Sequence, residues 1–313
     1  MKVHLRLMIP VIVISMSAAL VEAQEESEKY FAPPVNYPDQ VYFGDPHIHT
    51  RISTDAAMWG TPFGPDGVYR WARGEELTSF KDWQVKLRKP LDWTVISDHS
   101  DVWGFFDLIK EGAPLVVAEP IGQRWYEMLQ EGKLREVTDE VIKAYGNETL
   151  PWDVSDPDLI APGWKLVIEA AEKHNDPGDF TAFIAYEWTS NPLGSNAHRV
   201  VIYRDNGDKP SQILPFTSTG STGSQDPEDL WSTLENYEKK TGGQVLAIPH
   251  NGNWAGNLMF PDRTFTSDKK LDETYVQRRN RWEPLYEASQ IKGDGEAHPY
   301  LSPDDEFADY ETW

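Results

Sequence analysis

The chain has 313 residues, of which 39% are hydrophobic and 12% aromatic, enough apolar material for a globular core of one large or two ordinary domains. Its 29 Lys and Arg stand against 51 Asp and Glu, and the net charge of -22 argues against nucleic acid or an anionic membrane as a partner. The lack of cysteine excludes disulfides, cysteine nucleophiles and cysteine-type zinc sites in this chain.

The amino terminus has the layout of an export signal. Two basic residues precede an apolar stretch over residues 7–21, which is shorter than the roughly 20 residues that a membrane-spanning helix needs. The sequence Val-Glu-Ala then suits a cleavage site before Gln24. We predict a signal peptide over residues 1–23, an extended lead-in over residues 24–40, and an exported protein, periplasmic or extracellular, without stable membrane insertion after signal removal. An uncleaved anchoring helix is the alternative.

From residue 41 onward, short apolar runs alternate with longer amphipathic stretches. The apolar runs predict strands over Val41–Phe43, Leu91–Ile96, Phe180–Tyr186, Arg199–Tyr203 and Gln244–Ile248. The stretches between them predict helices over Asp66–Arg73, Ile121–Glu131, Leu134–Tyr145, Pro162–His174 and Pro227–Lys240. This alternation indicates an α/β fold with a largely parallel sheet or barrel, in one domain of residues 41–313.

Residues of the metal-ligand type lie beside the ends of these predicted strands. His47 and His49 follow the first strand, and two histidines spaced i, i+2 can aim both rings at one point. The other residues of this type are Asp98, His99, Glu187, His198 and His250. Because the carboxyl ends of parallel strands meet at one rim, four strand ends that offer histidine or a carboxylate predict a metal site.

Each of these residues also has a structural alternative. A single loop histidine is often satisfied by a backbone carbonyl, and Asp98 could cap the helix that follows it. Glu187 could be a buried carboxylate paired with Arg199. A carboxylate directly after an apolar run costs desolvation free energy unless a cation compensates for it, which favours metal binding at Glu187. Asp55 has the setting of an ordinary turn residue.

Five motifs in a fixed order resemble those of a known superfamily. They are Gly-Asp-Pro-His-Ile-His-Thr, Ile-Ser-Asp-His-Ser, Tyr-Glu-Trp-Thr, Asn-Ala-His-Arg and Ile-Pro-His-Asn-Gly, within a match from about Val41 to Gly295. Together they resemble the PHP (polymerase and histidinol phosphatase) superfamily, and more closely its exported branch, the domain of unknown function 3604 family. The resemblance implies a distorted (β/α)7 TIM-like barrel that holds two or three divalent ions of zinc, manganese or iron at its carboxyl rim.

Carried over residue by residue, the resemblance assigns most of these side chains to metal binding. The ligands that it implies are His47, His49, Asp55, His99, Glu187, His198 and His250. Glu187 matches the carboxylate that bridges two ions, and Asp98 matches a neighbour that orients an imidazole. The residues predicted to take part in catalysis are Glu187, Asp98 and His99. Substrate contacts are predicted for Arg73, Arg199 and Lys292, with a surface or structural ion pair as the alternative for each.

One motif of the superfamily is missing from its expected place. An Asp-x-His should complete the metal cluster near the end of the barrel, yet none occurs after His250, and the nearest sequence, Asp294 to His298, has a different spacing. The chain also stops at Trp313, where relatives in the family continue. We therefore hypothesise a truncated member whose barrel is incomplete at the carboxyl end.

The resemblance implies an exported metal-dependent hydrolase. A phosphoesterase that applies a metal-activated hydroxide to a small phosphorylated substrate is the first expectation. The acidic net charge is compatible with such a substrate, because bound cations can reverse the field in one pocket. A hydrolase of amide, ester or lactone bonds is one alternative, since activated hydroxide does not dictate its electrophile. A catalytically inactive metal-binding remnant, suggested by the missing motif, is the other.

Overall fold

The computed structural model describes residues 40–290, 293–295, 300 and 303–304. The predicted signal peptide, nearly all of the lead-in, the chain end, Lys292 and His298 lie outside the described residues. The described residues from Tyr42 onward belong to one compact unit. In the described part of the chain, no helix combines the length and the apolar character needed to cross a bilayer.

A curled five-stranded sheet, shaped like half of a barrel, is the centre of the fold. The strands are β1 Gly44–Ile48, β2 Leu77–Thr78, β3 Gln84–Val85, β4 Trp93–Ile96, β5 Thr181–Trp188, β6 Arg199–Tyr203, β7 Val245–Pro249, β8 Ser289–Gln290 and β9 Gly293–Asp294. The central sheet has the order β1, β4, β5, β6, β7, and the other strands form two small antiparallel hairpins. Strands β1, β4 and β5 are parallel, whereas β6 is antiparallel to both of its neighbours. Four strands therefore share one direction and β6 runs against them.

Helices cover the sheet and extend the domain to one side. They are α1 Thr54–Met58, α2 Pro65–Ala72, α3 Phe105–Glu111, α4 Pro114–Val117, α5 Pro120–Gln130, α6 Leu134–Gly146, α7 Pro157–His174, α8 Pro227–Thr241 and α9 Glu273–Trp282. The main hydrophobic core joins α2, α7, α8 and α9 to the sheet, with Trp164, Trp188 and Trp231 among its buried side chains. A second core around Trp125 joins α3, α4, α5 and α6.

The predicted strand Leu91–Ile96 is shorter in the structure, where β4 begins at Trp93, and two other predicted strands differ in ways that reposition motif residues. The exposed run Val41–Phe43 is not a strand, and β1 consists of the motif residues that follow, because these residues pair with β4, Gly44 opposite Trp93. Glu187 lies within β5 rather than after it, because pairing with β6 continues as far as Trp188. His47 is consequently a residue of β1, and of the two histidines in the first motif only His49 follows that strand.

Helix α7 begins earlier than predicted. It starts at Pro157 rather than Pro162, because the carboxylate of Asp156 caps its amino end and accepts a hydrogen bond from the Asp158 amide at 2.9 Å. The helix then continues through Pro162. The other predicted helices agree with the structure to within one residue at each end, whereas α1, α3, α4 and α9 were not predicted.

The structure confirms a mixed α/β domain but not a closed (β/α)7 barrel. Within the described residues, β1 pairs only with β4 and β7 only with β6, so the central sheet has two open edges. The sheet is largely parallel, as predicted, except that β6 is reversed. Only residues 189–198 connect β5 to β6, and a parallel return needs a crossover of a dozen residues or more, usually helical.

Candidate metal centre

Five histidines and three carboxylates converge at one edge of the central sheet. This is the edge where β1, β4, β5 and β7 end and where the reversed strand β6 begins, so His198 reaches it from the residue before its strand. The side chains are His47, His49, Asp55, His99, Glu187, His198, His250 and Glu287. The structure therefore brings together every metal ligand predicted from the sequence and adds one carboxylate, that of Glu287.

The carboxylate of Glu187 lies at the centre of this cluster. Its side chain is 1% exposed, and its oxygens lie within 3.5 Å of a ring nitrogen of all five histidines. The distances are 2.6 Å to His250, 2.7 Å to His198, 2.8 Å to His49, 3.2 Å to His99 and 3.5 Å to His47. A carboxylate accepts at about four lone-pair positions, so it cannot satisfy five imidazoles by hydrogen bonding.

The first motif places two imidazoles side by side. His47 and His49 are two residues apart in extended chain, so their side chains leave on the same side, and their Nε2 atoms are 3.1 Å apart. The loop after them is held by the buried Asp98, which accepts hydrogen bonds from the Thr50 amide at 2.5 Å and from the Thr50 hydroxyl at 2.8 Å. Burial raises the pKa of Asp98 to about 6 although these hydrogen bonds oppose the rise. Asp98 thus anchors the loop and caps no helix.

Asp55 is brought to the cluster by the short helix α1. Its carboxylate lies 2.8 Å from His49 Nδ1 and 3.7 Å from His99 Nε2. Burial favours the neutral acid, but the adjacent imidazoles hold the pKa of Asp55 well below its usual range. The carboxylate is therefore ionised and faces two histidines.

The hydrogen bonds around His198 test whether this cluster suits a metal ion. Asn191 donates from Nδ2 to the Thr189 carbonyl at 2.9 Å, and this orients the amide so that its Oδ1 accepts from His198 Nε2 at 3.0 Å. His198 Nε2 therefore carries a hydrogen, and in a neutral imidazole the Nδ1 atom is then a lone-pair acceptor. That atom faces Glu187 Oε1 at 2.7 Å. Two acceptors at this distance repel each other unless the ring is protonated or a cation binds both.

Other features of the cluster also fit metal binding. Glu187 Oε2 and His250 Nδ1 are buried without a hydrogen bond to any described residue. Metal–ligand bonds of about 2.1 Å place tetrahedral ligand atoms roughly 3.4 Å apart, close to the spacing around Glu187. The ligand atoms form four overlapping groups, and Glu187 belongs to two of them, one with His47 and His49 and one with His99 and His198. These buried histidine and carboxylate groups could hold a metal ion.

Burial and neighbouring charges shift the pKa values of the cluster residues in different directions. Burial lowers the pKa of His250 to about 4, so this ring is neutral and free to act as a ligand. Burial acts in the same direction on His47, but the nearby carboxylates of Glu187 and Glu287 overcome it and raise its pKa to about 9. The surrounding imidazoles, led by His99, hold the pKa of Glu187 well below its usual range despite its burial.

Comparison with known proteins places the chain in a family. The family described as proteins of unknown function, DUF3604, matches residues 36–313. The chain belongs to the DUF3604 family. No curated protein and no solved structure matches it. The match confirms the family that the sequence motifs resemble, whereas membership of the wider PHP superfamily stays a prediction.

The sequence motifs did not identify one carboxylate of the cluster in this DUF3604 protein. Glu287 lies between α9 and β8, with its Oε2 2.9 Å from His47 Nδ1 and 4.0 Å from His250 Nδ1. Its neighbour Gln290 lies 2.8 Å from the same His47 nitrogen. The one signal in the sequence was the dipeptide Tyr286-Glu287, which repeats the Tyr186-Glu187 pair of β5. No predicted strand preceded it, so it was not distinguished from the many surface acids.

The predicted substrate contacts are not at the cluster in the described part of this DUF3604 chain. Arg73 binds the His174 carbonyl and the carboxylates of Asp176 and Asp179, near the start of β5. The candidate metal centre lies at the opposite end of that strand. Lys292 lies outside the described residues.

Arg199 is committed to a different buried ion pair. Its guanidinium Nε lies 3.0 Å from the carboxylate of Glu283, and both side chains are buried. In the pairing of β5 with β6, Arg199 is opposite Trp188 rather than Glu187, so successive side chains place it on the other face of the sheet. The alternative that Glu187 serves as the ion-pair partner of Arg199 is therefore wrong.

Proposed function

We propose that this DUF3604 protein is a metal-dependent hydrolase and that phosphoesters are its substrate class. The observation that carries the proposal is the position of Glu187, shared by two groups of ligand atoms and surrounded by five imidazoles. Divalent ions bound there would lower the pKa of water from 15.7 toward about 7 and offset the charge of a phosphoryl group. The five ordered motifs support the further proposal that the chain is an exported member of the PHP superfamily.

In this proposal, some residues of the cluster bind the metal ions and others position those ligands. Glu187 bridges the two groups of histidines, and Asn191 directs the Nδ1 atom of His198 toward it. Asp55 holds the His49 ring from the side opposite Glu187, through Nδ1. Asp98 fixes the loop that carries His49. Such outer hydrogen bonds orient metal ligands and increase their basicity.

The charges around the cluster favour metal-dependent over purely side-chain chemistry. Among the described residues, no lysine or arginine forms an ion pair with a cluster carboxylate. An anionic substrate would therefore depend on bound cations for its attraction to the site. The same residues would serve hydrolysis of an amide, ester or lactone, so this alternative is kept. The missing Asp-x-His motif suggested a catalytically inactive metal-binding remnant. Glu287 weakens this alternative, because it supplies a cluster carboxylate that the sequence motifs did not reveal.

A substrate screen with a matched variant tests the proposal. The chain is assayed with added manganese or zinc on aryl phosphate mono- and diesters and on an aryl ester, an anilide and a lactone. We expect hydrolysis of a phosphoester, lost by more than about 100-fold in Glu187→Gln and retained in Glu235→Gln, an exposed acid of α8. Hydrolysis of only the carbon-centred substrates would assign the alternative, and equal rates in both variants would contradict the proposed site.

A further inference from the structure

A basic hairpin stands out from the acidic remainder of the protein. We define it as residues 77–90, which contain β2, β3 and the segment that leads into β4. It carries the four basic residues Lys81, Lys86, Arg88 and Lys89 and one acidic residue, Asp82. Its charge of +3 contrasts with the net charge of -22 of the whole chain. A local reversal of charge of this kind attracts anionic partners.

The basic side chains of the hairpin are all available to such a partner. All four are exposed, and within the described residues none forms an ion pair with a carboxylate. Many basic residues elsewhere are engaged instead, such as Arg70 with Glu75 and Arg124 with Glu140. The hairpin thus concentrates unpaired positive charge in one segment.

Two exposed aromatic side chains accompany this charge at the hairpin tip. Phe80 is 57% exposed and Trp83 is 64% exposed. The Lys81 ammonium lies 5.4 Å from the centre of the Phe80 ring and 5.3 Å from that of the Trp83 ring. Aromatic rings next to lysine and arginine are typical of segments that lie in the interface of a bilayer, where apolar bodies are buried and charged ends reach the headgroups.

The hairpin lies at the end of the sheet opposite the candidate metal centre. Its last residues lead directly into the start of β4, whereas His99 follows the end of that strand. Tyr42 and Phe43 are also exposed, and they enter β1 at the same end, where Phe43 exchanges hydrogen bonds with Asp92. A surface bound by the hairpin would therefore leave the metal centre accessible from the other side.

We propose that the basic hairpin docks the protein peripherally on an anionic lipid surface. The basic side chains select negative headgroups, and Phe80, which has no polar atom, gains free energy from hydrocarbon but not from a sugar or a free phosphate. The inference does not depend on the proposed hydrolase function. At physiological ionic strength, charges that are more than about 8 Å apart are largely screened from each other. The headgroups next to the hairpin are therefore attracted to it, whereas distant acidic residues repel them only weakly.

Vesicle co-sedimentation tests this docking. The chain from Gln24 is used, which retains every described residue, because the apolar residues 7–21 would bind vesicles by themselves. It is mixed with vesicles of phosphatidylcholine alone or of equal parts phosphatidylcholine and phosphatidylglycerol. We expect binding only to the anionic vesicles, weakened by added salt. A Lys86→Gln/Arg88→Gln/Lys89→Gln variant should bind on the order of 100-fold more weakly, about fivefold per charge.

Two further variants test whether binding depends on the hairpin itself or only on the total charge of the protein. Lys143→Gln/Lys269→Gln/Lys270→Gln removes the same charge from exposed lysines outside the hairpin and should bind like the wild type. Phe80→Ser/Trp83→Ser should lose binding while its thermal unfolding stays unchanged, because both side chains are exposed. The proposal is overturned if the wild type does not bind, or if the two triple variants that each remove three positive charges lose the same vesicle affinity. Binding to a soluble sulfated polysaccharide instead of vesicles would also overturn it.

Discussion

The amide of Asn191 decides which nitrogen of His198 faces the cluster. Its Nδ2 is used by the Thr189 carbonyl, so its Oδ1 must accept from His198 Nε2. The Nδ1 lone pair is thereby directed at Glu187. The tautomer of His198 therefore follows from neighbouring hydrogen bonds, and this residue-scale feature was not visible in the sequence.

The role of Asn191 can be tested without changing any metal ligand. Asn191→Ala removes the acceptor that fixes the His198 tautomer, and we expect metal affinity to fall by about 10- to 100-fold. The measurement is competition for zinc or manganese with a chelating indicator. Asn236→Ala, on the exposed face of α8, serves as the control and should leave the affinity unchanged. Equal affinities in both variants would show that the Asn191 amide does not position His198.

Sequence patterns predicted the ligand residues better than their surroundings. His47, His49, His99, Glu187, His198 and His250 were placed together because each flanks an apolar run, and they do converge. Glu287 lacked that cue, since its position depends on how the chain after α9 returns to the sheet. The partners of Arg73 and Arg199 could not be predicted either, because they are distant in sequence.

At the scale of single elements, the helices were easier to predict than the strands. Helix bounds follow from local signals, such as the proline that opens α5 or the glycine after α8. Strand bounds depend on pairing with distant segments, which is why β1 moved from the exposed run Val41–Phe43 to the motif residues. The reversal of β6 is likewise a property of the whole sheet. The sequence predicted its position correctly but not its direction.

Helix α5 offers a test of close packing. Gly122 lies where an added Cβ would come within 2.1 Å of the Val116 carbonyl oxygen. Alanine usually stabilises a helix interior by about 1 kcal/mol relative to glycine, but here the backbone would have to move. We expect Gly122→Ala to lower the free energy of unfolding by about 1–3 kcal/mol in urea titrations.

A second glycine provides the matched control for α5. An added Cβ at Gly146, at the end of α6 in the same helical core, would meet no atom within 4 Å. Gly146→Ala should therefore leave the free energy of unfolding unchanged or raise it by a few tenths of a kcal/mol, roughly as helix propensity predicts. If both substitutions had the same effect, close packing of α5 on α4 would not explain the requirement for glycine.

At the scale of the whole molecule, one buried ion pair connects distant parts of the chain. Arg199 of β6 pairs with Glu283 after α9, and the indole Nε1 of Trp231 in α8 donates to the same carboxylate at 2.8 Å. This contact ties the carboxyl end of α9 to the sheet, four residues before Glu287. It therefore links the stability of the domain to the geometry of the candidate metal centre.

Removing the charge at Glu283 should destabilise the protein strongly. Glu283→Gln leaves Arg199 buried without its counter-ion, and we expect a loss of about 3–5 kcal/mol in the free energy of unfolding. Chemical denaturation monitored by circular dichroism provides the value. Glu235→Gln breaks an exposed ion pair with Lys239 and should cost at most about 1 kcal/mol. Similar small losses in both variants would mean that the buried pair does not hold the domain together.

The convergence of strand ends could be predicted for the whole molecule, whereas the shape of the sheet could not. Alternating strands and helices predicted an α/β domain with polar residues at one rim, and the described residues have that arrangement. Closure into a barrel requires the two edge strands to meet, and no local pattern encodes that pairing. The described sheet remains open between β1 and β7.

Elemental analysis of the purified chain decides whether the cluster is a metal centre. The wild type, a His47→Ala/His49→Ala variant and a His174→Ala control, whose histidine lies at the end of α7 away from the cluster, are exposed to zinc, manganese and iron and then desalted. We expect two or more metal equivalents in the wild type and in the control, because Glu187 joins two groups of ligand atoms, and their loss in the double variant. A folded wild type that retains no metal would contradict the proposed centre.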